Sequence, residues 1–241
     1  NLHRTPYNAR NHEYYSEDAV LTSGQAVAFI SGGKEYGVII APKHLAFNDT
    51  EINRTGVSVF MTEQQARENE LRGTQASIED AGALGIMTAF NRVGITAANA
   101  HTGLLKNILR GEWGFKGLES QDFIMNPNYA VLKEYALNGG TMTTFTGENT
   151  MAAVSEKFAY WTTENVGQDT ELMGAIKQAM TWQAYALANS NALDGMASST
   201  RLVSVRTWYD NALVAVQVVF AALTVLAAAM YVLNDRKSKK Q

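Results

Sequence analysis

Short apolar runs alternate with helical patterns between residues 38 and 145. The runs predict four strands, at Val38–Ala41, Gly85–Phe90, Gly117–Phe123 and Thr141–Phe145. Strands that alternate with helices are typical of βα units in a parallel sheet. The pattern therefore predicts an α/β fold, and it is compatible both with an open doubly wound sheet and with part of a (β/α) barrel.

Helical patterns lie around and between these runs. Thr62 and Gln65 have the spacing of a helix cap, and the residues that follow are good helix formers. The predicted helices are Ala26–Ile30, Thr62–Ile78, His101–Arg110, Tyr129–Leu137 and Asp169–Ser190.

The segment Ala212–Leu233 is apolar except for Gln217 and Thr224. As a helix it would be about 33 Å long at ~1.5 Å per residue, which matches a bilayer core of about 30 Å. Aromatic residues lie at both ends, where such rings prefer the membrane interface: Trp208, Tyr209 and Tyr231. A buried core helix is the alternative, but core helices seldom run this long without a charge.

The composition excludes several classes of protein. The chain has 20 Lys+Arg and 23 Asp+Glu, so its net charge of -3 leaves no basic excess for nucleic acid. It has no cysteine, which excludes disulfides, thiolate metal sites and a thiol nucleophile. No glycine-rich nucleotide motif occurs, and none of the four histidines has the H-E-x-x-H spacing of a zinc site. The sequence gives no reason to expect a metal or another cofactor.

Polar residues follow the predicted strands, at the edge where parallel β/α proteins carry their sites. A carboxylate, cations and amides gathered there suit a polyhydroxylated ligand, and a carboxylate can attack a glycosidic carbon. The ordinary alternatives are a surface Lys-His pair and an aspartate that caps a helix. The candidates are Arg10, Asn11, Glu13, Lys43, His44, Phe90, Asn91, Arg92 and Asp122.

The chain contains the segments RNHEYYSED, GIMTAFNR and LRGEWGFKG. The first is similar to a loop of glycoside hydrolase family 3, and the other two are similar to strand and helix-to-strand segments of that family. The resemblance extends over roughly residues 1–196, and the motifs occur in the family's order. The segments are Arg10–Asp18, Lys43–Arg54, Gly85–Arg92, Leu109–Gly117, Leu118–Asp122 and Ala188–Gly195.

The resemblance implies a retaining exo-β-glycosidase of the β-glucosidase type, with Asp122 at the position of the catalytic nucleophile. This two-carboxylate chemistry needs no metal and no cofactor. A terminal β-linked sugar is the implied substrate. Further residues match the subsite that holds this sugar: Arg10, Lys43 and His44 for its hydroxyls, and Met87 and Phe90 near the nucleophile.

The sequence also departs from the family pattern. Phe90 replaces the usual tyrosine and so lacks a hydroxyl that could bond to the nucleophile. Gln121 replaces a threonine or serine, and Glu119 occupies a strand position that is usually apolar. These departures leave a non-catalytic sugar-binding or scaffold protein as the alternative. A membrane protein with a purely structural soluble part is a third.

The family's barrel has about eight βα units, and the resemblance implies that this chain holds the last four or five. The expected fold is therefore the C-terminal portion of a (β/α)8 TIM-type barrel with one transmembrane helix. The missing N-terminal part and the acid/base residue would lie outside this chain, which alone would be inactive.

The sequence divides into four predicted regions. Barrel residues 1–196 precede a polar connector at 197–211, a transmembrane helix at 212–233 and a basic tail at 234–241. The tail follows the apolar segment directly, so the positive-inside tendency places it in the cytoplasm. The barrel would then lie outside the cell membrane, anchored by a single pass.

Overall fold

The computed structural model describes residues 1–123, 131–144, 161–196, 200, 201, 203 and 205–238. These residues form two units, Asn1–Asp194 and Gly195–Gln241. Most of the helices and all of the strands belong to the first unit.

Three parallel strands form the central sheet: β1 (Lys43–Leu45), β3 (Gly85–Thr88) and β6 (Leu118–Gln121). They lie side by side in the order in which they occur along the chain. A parallel bridge from Ser120 to Met142 continues the sheet beyond β6. The prediction of an α/β fold with a parallel sheet is confirmed.

Helices and a small second sheet surround these strands. The second sheet contains β2 (Ser58–Val59), β4 (Arg92–Val93) and β5 (Thr96–Ala97). The α-helices are α1 (Ala19–Lys34), α2 (Glu63–Gln65), α3 (Arg72–Glu79), α4 (Leu132–Leu137), α5 (Thr163–Gln168), α6 (Thr170–Ala188) and α7 (Trp208–Ser238). Residues Ala66–Glu70 and Gly103–Glu112 form π-helices, and short 3₁₀ turns occur at Asn11–Glu13, Ala98–Ala100 and Asn191–Leu193.

The strand predictions differ in outcome. Strands β3 and β6 lie within the predicted runs Gly85–Phe90 and Gly117–Phe123. The prediction at Val38–Ala41 is wrong, because the strand begins at Lys43. Ile40 instead packs against the buried cluster of Ile30, Ala81 and Ala83. The run Thr141–Phe145 contributes the bridge at Met142, and Phe145 lies outside the described residues.

The helix predictions are confirmed in position but not in extent. Helix α1 begins at Ala19, where Asp18 accepts a hydrogen bond of 2.6 Å from the amide of Leu21. Thr62 accepts a hydrogen bond from the amide of Gln65, so the predicted cap is confirmed. The start of the predicted helix Tyr129–Leu137 lies outside the described residues.

The central sheet packs against the helices through a largely apolar cluster. Ile86 is fully buried in β3, and Leu105 and Leu109 pack over it from the π-helix Gly103–Glu112. Trp113 and Phe115 close the same cluster. Burying one such side chain contributes roughly 1.5–3 kcal/mol, so this packing fixes the strands whose ends carry the polar candidates.

A partly buried arginine connects this helix with the strand that precedes Asp122. The Arg110 guanidinium donates hydrogen bonds of 2.9 and 2.8 Å to the carbonyl oxygens of Phe115 and Gly117, and of 3.1 and 2.7 Å to that of Gly139. Its charge lies 3.8 Å from the centroid of the Trp182 ring. Burial lowers the pKa of Arg110 to about 10. Arg110 therefore fixes the entry to β6.

A second charged group lies inside β6 itself. Glu119 is fully buried, and no hydrogen bond of normal geometry reaches its carboxylate oxygens in the described part of the chain. The nearby hydroxyls of Tyr135 and Thr88 donate to main-chain carbonyl oxygens instead. Burial raises the pKa of Glu119 to about 7, although Tyr135, Arg110 and Thr88 oppose the shift. The folded protein thus holds Glu119 protonated in mildly acidic solution.

The second unit contains α7. Its stretch Trp208–Leu233 is 26 residues long, with a mean hydropathy of 2.4, and it is not buried by other residues. Within the residues that the structure describes, this is the one helix whose length and composition would allow it to cross a membrane. The side chains of most of the predicted basic tail lie outside the described residues.

Glu119→Gln is expected to reduce the pH dependence of the free energy of unfolding. An unfolded Glu119 loses its proton near its ordinary pKa of 4.5, whereas the folded one loses it near 7. Stability is therefore lost as the pH rises between these values, by on the order of 2–3 kcal/mol. Unfolding of the full chain in detergent should show this loss between pH 5 and pH 8, added to a loss of the same sign from Glu70, whose pKa burial also raises to about 7. Glu119→Gln should remove the part that Glu119 contributes and keep the part that Glu70 contributes.

The matched control is Glu134→Gln, at an exposed position of α4. That variant should retain the pH dependence of the wild type. An equal pH dependence in Glu119→Gln and the wild type would contradict the assignment of this titration to Glu119.

Candidate active site

The carboxyl ends of the parallel strands bring two sequence candidates into contact. His44 lies in β1, and Asp122 directly follows β6. The amide of Asp122 donates a 3.3 Å hydrogen bond to the carbonyl oxygen of Thr88, the last residue of β3. The intervening strand therefore holds Asp122 at the edge where β1 also ends.

His44 Nε2 and Asp122 Oδ2 are 3.2 Å apart. Both side chains are well buried, with exposed fractions of 1% and 9%. The other carboxylate oxygen, Oδ1, accepts a 2.8 Å hydrogen bond from the amide of Phe123. The carboxylate of Asp122 is thus held at both oxygens.

Burial would raise the pKa of Asp122, but hydrogen bonds and positive charges outweigh it. The donors are His44 and the amide of Phe123, and Arg54 adds a positive charge nearby. The pKa of Asp122 is therefore lowered, and this carboxylate is ionised at neutral pH. An ionised, fixed carboxylate is the form that can act as a nucleophile.

His44 is the neutral partner in this contact. Burial lowers its pKa, and the charges of Arg10 and Lys43 act in the same direction, against the raising effect of Asp122. Its Nδ1 atom is buried and has no hydrogen-bond partner in the described part of the chain. We therefore assign the imidazole proton to Nε2, from which it is donated to Asp122.

Beside this pair lies a row of five side chains of alternating charge, the ion row: Lys43, Glu13, Arg10, Glu51 and Arg54. Glu13 accepts hydrogen bonds from Lys43 and Arg10, and Arg54 Nη1 lies 2.6 Å from Glu51 Oε2. Arg10 and Glu51 are 3.7 Å apart. Arg10 Nη1 also lies 3.4 Å from His44 Nε2, which joins the row to the Asp122 contact.

Phe90 contacts Arg54, the residue at one end of the ion row. The Arg54 guanidinium carbon is 4.4 Å from the centroid of its ring, a cation–π distance, and the ring is buried. Met87 is partly exposed in β3, in register with Lys43 of β1 and Ser120 of β6. The structure thus places Phe90 beside the cluster and Met87 in the adjacent rows of the sheet.

Sequence reasoning missed two members of the cluster. Glu51 and Arg54 lie in a loop that composition alone describes as solvated. In the structure the side chains of Glu51 and Arg54 are only partly exposed, and Asn48, which is 1% exposed, donates a hydrogen bond to Glu51. The signal was present, since both residues fall within the stretch from Lys43 to Arg54 that carries a family motif.

The site offers a carboxylate for covalent chemistry and donors for hydroxyl groups. In the parts of the chain that the structure describes, no group of three or more His, Asp or Glu side chains could hold a metal ion. The charges of the ion row and Asp122 balance, with three cations against three carboxylates. Such a site suits a polar, uncharged ligand.

The fold and the cluster define the class of this protein. It is an α/β protein of βα units whose polar site lies at the carboxyl edge of a parallel sheet. Residues 1–156 match the family model for the "Glycosyl hydrolase family 3 N terminal domain". The chain therefore belongs to glycoside hydrolase family 3.

Relatives and solved structures agree with this assignment. The chain is 39% identical over 123 residues to "Probable beta-glucosidase J" of Emericella nidulans. This alignment covers 51% of the chain and 14% of the relative. It is 37% identical over 123 residues to "Beta-glucosidase" of Rhizobium radiobacter, covering 51% and 15%. The solved beta-glucosidase 3B from Thermotoga neapolitana in complex with glucose has a TM-score of 0.69 and 27% identity, over 80% of this chain and 26% of that one.

The chain spans about one seventh of the length of these two curated relatives. The alignments establish the family and the TIM-barrel-like α/β fold of its N-terminal domain. The activity and the substrate of a whole protein of this kind are matters for proposal.

His44→Ala is expected to raise the pKa of Asp122, because it removes a hydrogen-bond donor while much of the burial remains. A carbodiimide reacts with the protonated carboxyl, so the pH profile of Asp122 modification, followed by mass spectrometry, reports this pKa. His44→Gln, which keeps an N–H donor, should restore a profile close to the wild type. Identical profiles for wild type and His44→Ala would show that the contact does not set this pKa.

Proposed function

We propose that this chain carries the nucleophile and part of the sugar subsite of a retaining exo-β-glycosidase of the β-glucosidase type. One observation carries this proposal: Asp122 is an ionised carboxylate, held by His44 and the Phe123 amide at the carboxyl edge of the sheet. The family relationship and the beta-glucosidases among the relatives support the choice of sugar and bond.

In the proposed reaction Asp122 attacks the anomeric carbon of a terminal β-linked sugar. The glycosidic bond breaks, and the leaving oxygen takes a proton from an acid outside this chain. Water then attacks the glycosyl–Asp122 ester, giving its proton to the same group acting as base, so that the carboxylate is regenerated. His44 and the Phe123 amide hold the carboxylate in the orientation that the attack requires.

The proposed sugar contacts follow from the positions of the cations. Arg10 and Lys43 present charged N–H donors beside Asp122, and charged donors form strong hydrogen bonds to hydroxyl oxygens. His44 would line the same subsite, because its own N–H is donated to Asp122. Phe90 and Met87 would provide apolar surface near the reacting carbon. Phe90 has no hydroxyl that could bond to Asp122, so His44 and the Phe123 amide would hold the Asp122 carboxylate in place.

We further propose that this chain is the C-terminal portion of a (β/α)8 barrel, with about four or five of its βα units. The family relationship supports this, as does the small share of the relatives that the chain matches. An incomplete barrel would leave open sheet edges and lack the acid/base group, so the 241-residue chain alone should not turn over substrate.

The chain is also proposed to be anchored in the cell membrane through residues 212–233, with the barrel part outside and the C-terminus in the cytoplasm. The exposed apolar surface of α7 supports this location. Its aromatic residues Trp208, Tyr209 and Tyr231 lie near the ends of the apolar stretch, as in membrane-interface belts.

Covalent trapping tests the proposed reaction. Membranes of cells that produce the protein would be treated with 2,4-dinitrophenyl 2-deoxy-2-fluoro-β-D-glucoside, and labelled peptides identified by mass spectrometry. We expect the label on Asp122 and its complete loss in Asp122→Asn, because the amide is a far weaker nucleophile. Asp80→Asn, at an exposed position, is the matched control and should be labelled normally.

The mass of the labelled protein tests the proposed incomplete barrel. A labelled protein much heavier than 26.3 kDa would support it, and a labelled protein of 26.3 kDa would contradict it. No label, in a protein that still binds glucose, would contradict catalysis and favour a non-catalytic sugar-binding protein.

Leu223→Lys tests the membrane anchor. A lysine at the centre of a membrane-spanning helix costs about 2.5–3.5 kcal/mol, so this variant should shift from the carbonate-resistant membrane pellet to the soluble fraction. Asn211→Lys introduces the same side chain outside the apolar stretch and should remain in the pellet. Carbonate extraction of the wild type into the soluble fraction would contradict the anchor.

A further inference from the structure

Glu13 makes the densest set of charged contacts in the cluster, although it has no part in the reaction described above. Its Oε1 accepts a 2.7 Å hydrogen bond from Arg10 Nε, and its Oε2 accepts one of 2.8 Å from Arg10 Nη2. The same Oε2 accepts a third hydrogen bond of 2.8 Å from Lys43 Nζ. One carboxylate thus binds two cations that come from different parts of the chain.

The backbone around Glu13 is itself fixed. Glu13 ends the 3₁₀ turn Asn11–Glu13, and its amide donates a 2.9 Å hydrogen bond to the carbonyl oxygen of Arg10. The adjacent Tyr14 is buried, and its hydroxyl donates to the carbonyl oxygen of Asn48. Glu13 therefore presents its carboxylate from an anchored turn.

The negative charge of Glu13 offsets the repulsion between the positive charges of Arg10 and Lys43. Arg10 and Lys43 approach one carboxylate from two sides, and Arg10 also reaches to 3.4 Å from the His44 imidazole. Hydrogen bonds from Arg10 and Lys43 hold the pKa of Glu13 well below its usual range. Its negative charge is therefore present at every pH at which the protein would work.

We propose that Glu13 is the positioning residue that holds Arg10 and Lys43 for the sugar, and that its charge makes the site prefer a neutral sugar to an anionic one. This inference rests on the proposed function. With Glu13 in place, an anionic sugar would have to compete with a carboxylate for the two cations. Without it, the cations would attract such a sugar and would hold a neutral one less well.

The first measurement requires no sugar. Lys43 must leave its ion pair with Glu13 before its amine can be acetylated. We expect Glu13→Gln to raise the rate of Lys43 acetylation by acetic anhydride several-fold in the full-length protein. The exposed Lys116 serves as the internal reference.

The second measurement compares two ligands by calorimetry, D-glucose and D-glucuronate. We expect Glu13→Gln to weaken glucose binding about tenfold, consistent with the loss of hydrogen bonds that position charged groups. We also expect the ratio of glucuronate to glucose affinity to rise by a factor of about ten or more. A merely structural role would weaken both ligands alike and leave this ratio unchanged.

The matched control is Glu17→Gln. Glu17 is an exposed glutamate of the same segment whose weak side-chain contact is to Ser16. It should leave Lys43 acetylation, glucose affinity and the affinity ratio at their wild-type values. Any equal change in both variants would show a general effect of lost negative charge and would overturn the assignment to Glu13.

The outcomes separate this inference from the proposed function. Unchanged Lys43 acetylation in Glu13→Gln overturns the positioning of Lys43, whatever the protein binds. Faster acetylation with an unchanged affinity ratio overturns the role in selecting the sugar. A wild type that binds no glucose contradicts the proposed function and the sugar-selecting role, while faster Lys43 acetylation would still support the positioning of this amine by Glu13.

Discussion

The parallel pairing of β1, β3 and β6 is the constraint on which the site depends. Its hydrogen bonds align the three strands so that their carboxyl ends meet at one edge. There the side chains of His44 and Asp122, far apart in the sequence, lie 3.2 Å from each other. A shift of β6 by one residue would turn Asp122 to the opposite face and abolish the contact.

Two charged residues, the partly buried Arg110 and the fully buried Glu119, show how firmly β6 is held. Arg110 is satisfied by main-chain carbonyl oxygens on both sides of the strand, so its burial is compensated. Glu119 is not compensated in this way, and it retains its proton to about pH 7 instead. The strand that carries Asp122 is thus fixed by one residue and made sensitive to pH by another.

The sequence was informative where a local pattern decides the structure. The apolar run around Ile86 forms a central strand, whereas the run around Ile40 packs against α1 without joining the sheet. Periodicity alone cannot separate these two cases, because both runs are apolar and only the tertiary partner differs. The sequence pattern also underestimated the length of α1, which was predicted at Ala26–Ile30 and extends from Ala19 to Lys34.

Only some of the residues of the candidate site could be identified from the sequence. Family motifs identified Arg10, Lys43, His44 and Asp122, which the structure brings together. The contribution of Glu51 and Arg54 depends on the course of their loop, in which Phe47 and Asn53 adopt positive φ angles of 70° and 54°. Such backbone angles are uncommon outside glycine, and the sequence gives no local signal for them.

The most direct test is a structure, at high resolution, of the protein that carries this chain with glucose bound. The account predicts glucose hydroxyls within about 3 Å of Arg10 and Lys43, with His44 lining the same subsite. It also predicts the anomeric carbon about 3–3.5 Å from a carboxylate oxygen of Asp122. Glucose bound elsewhere, or with its anomeric carbon turned away from Asp122, would contradict the account.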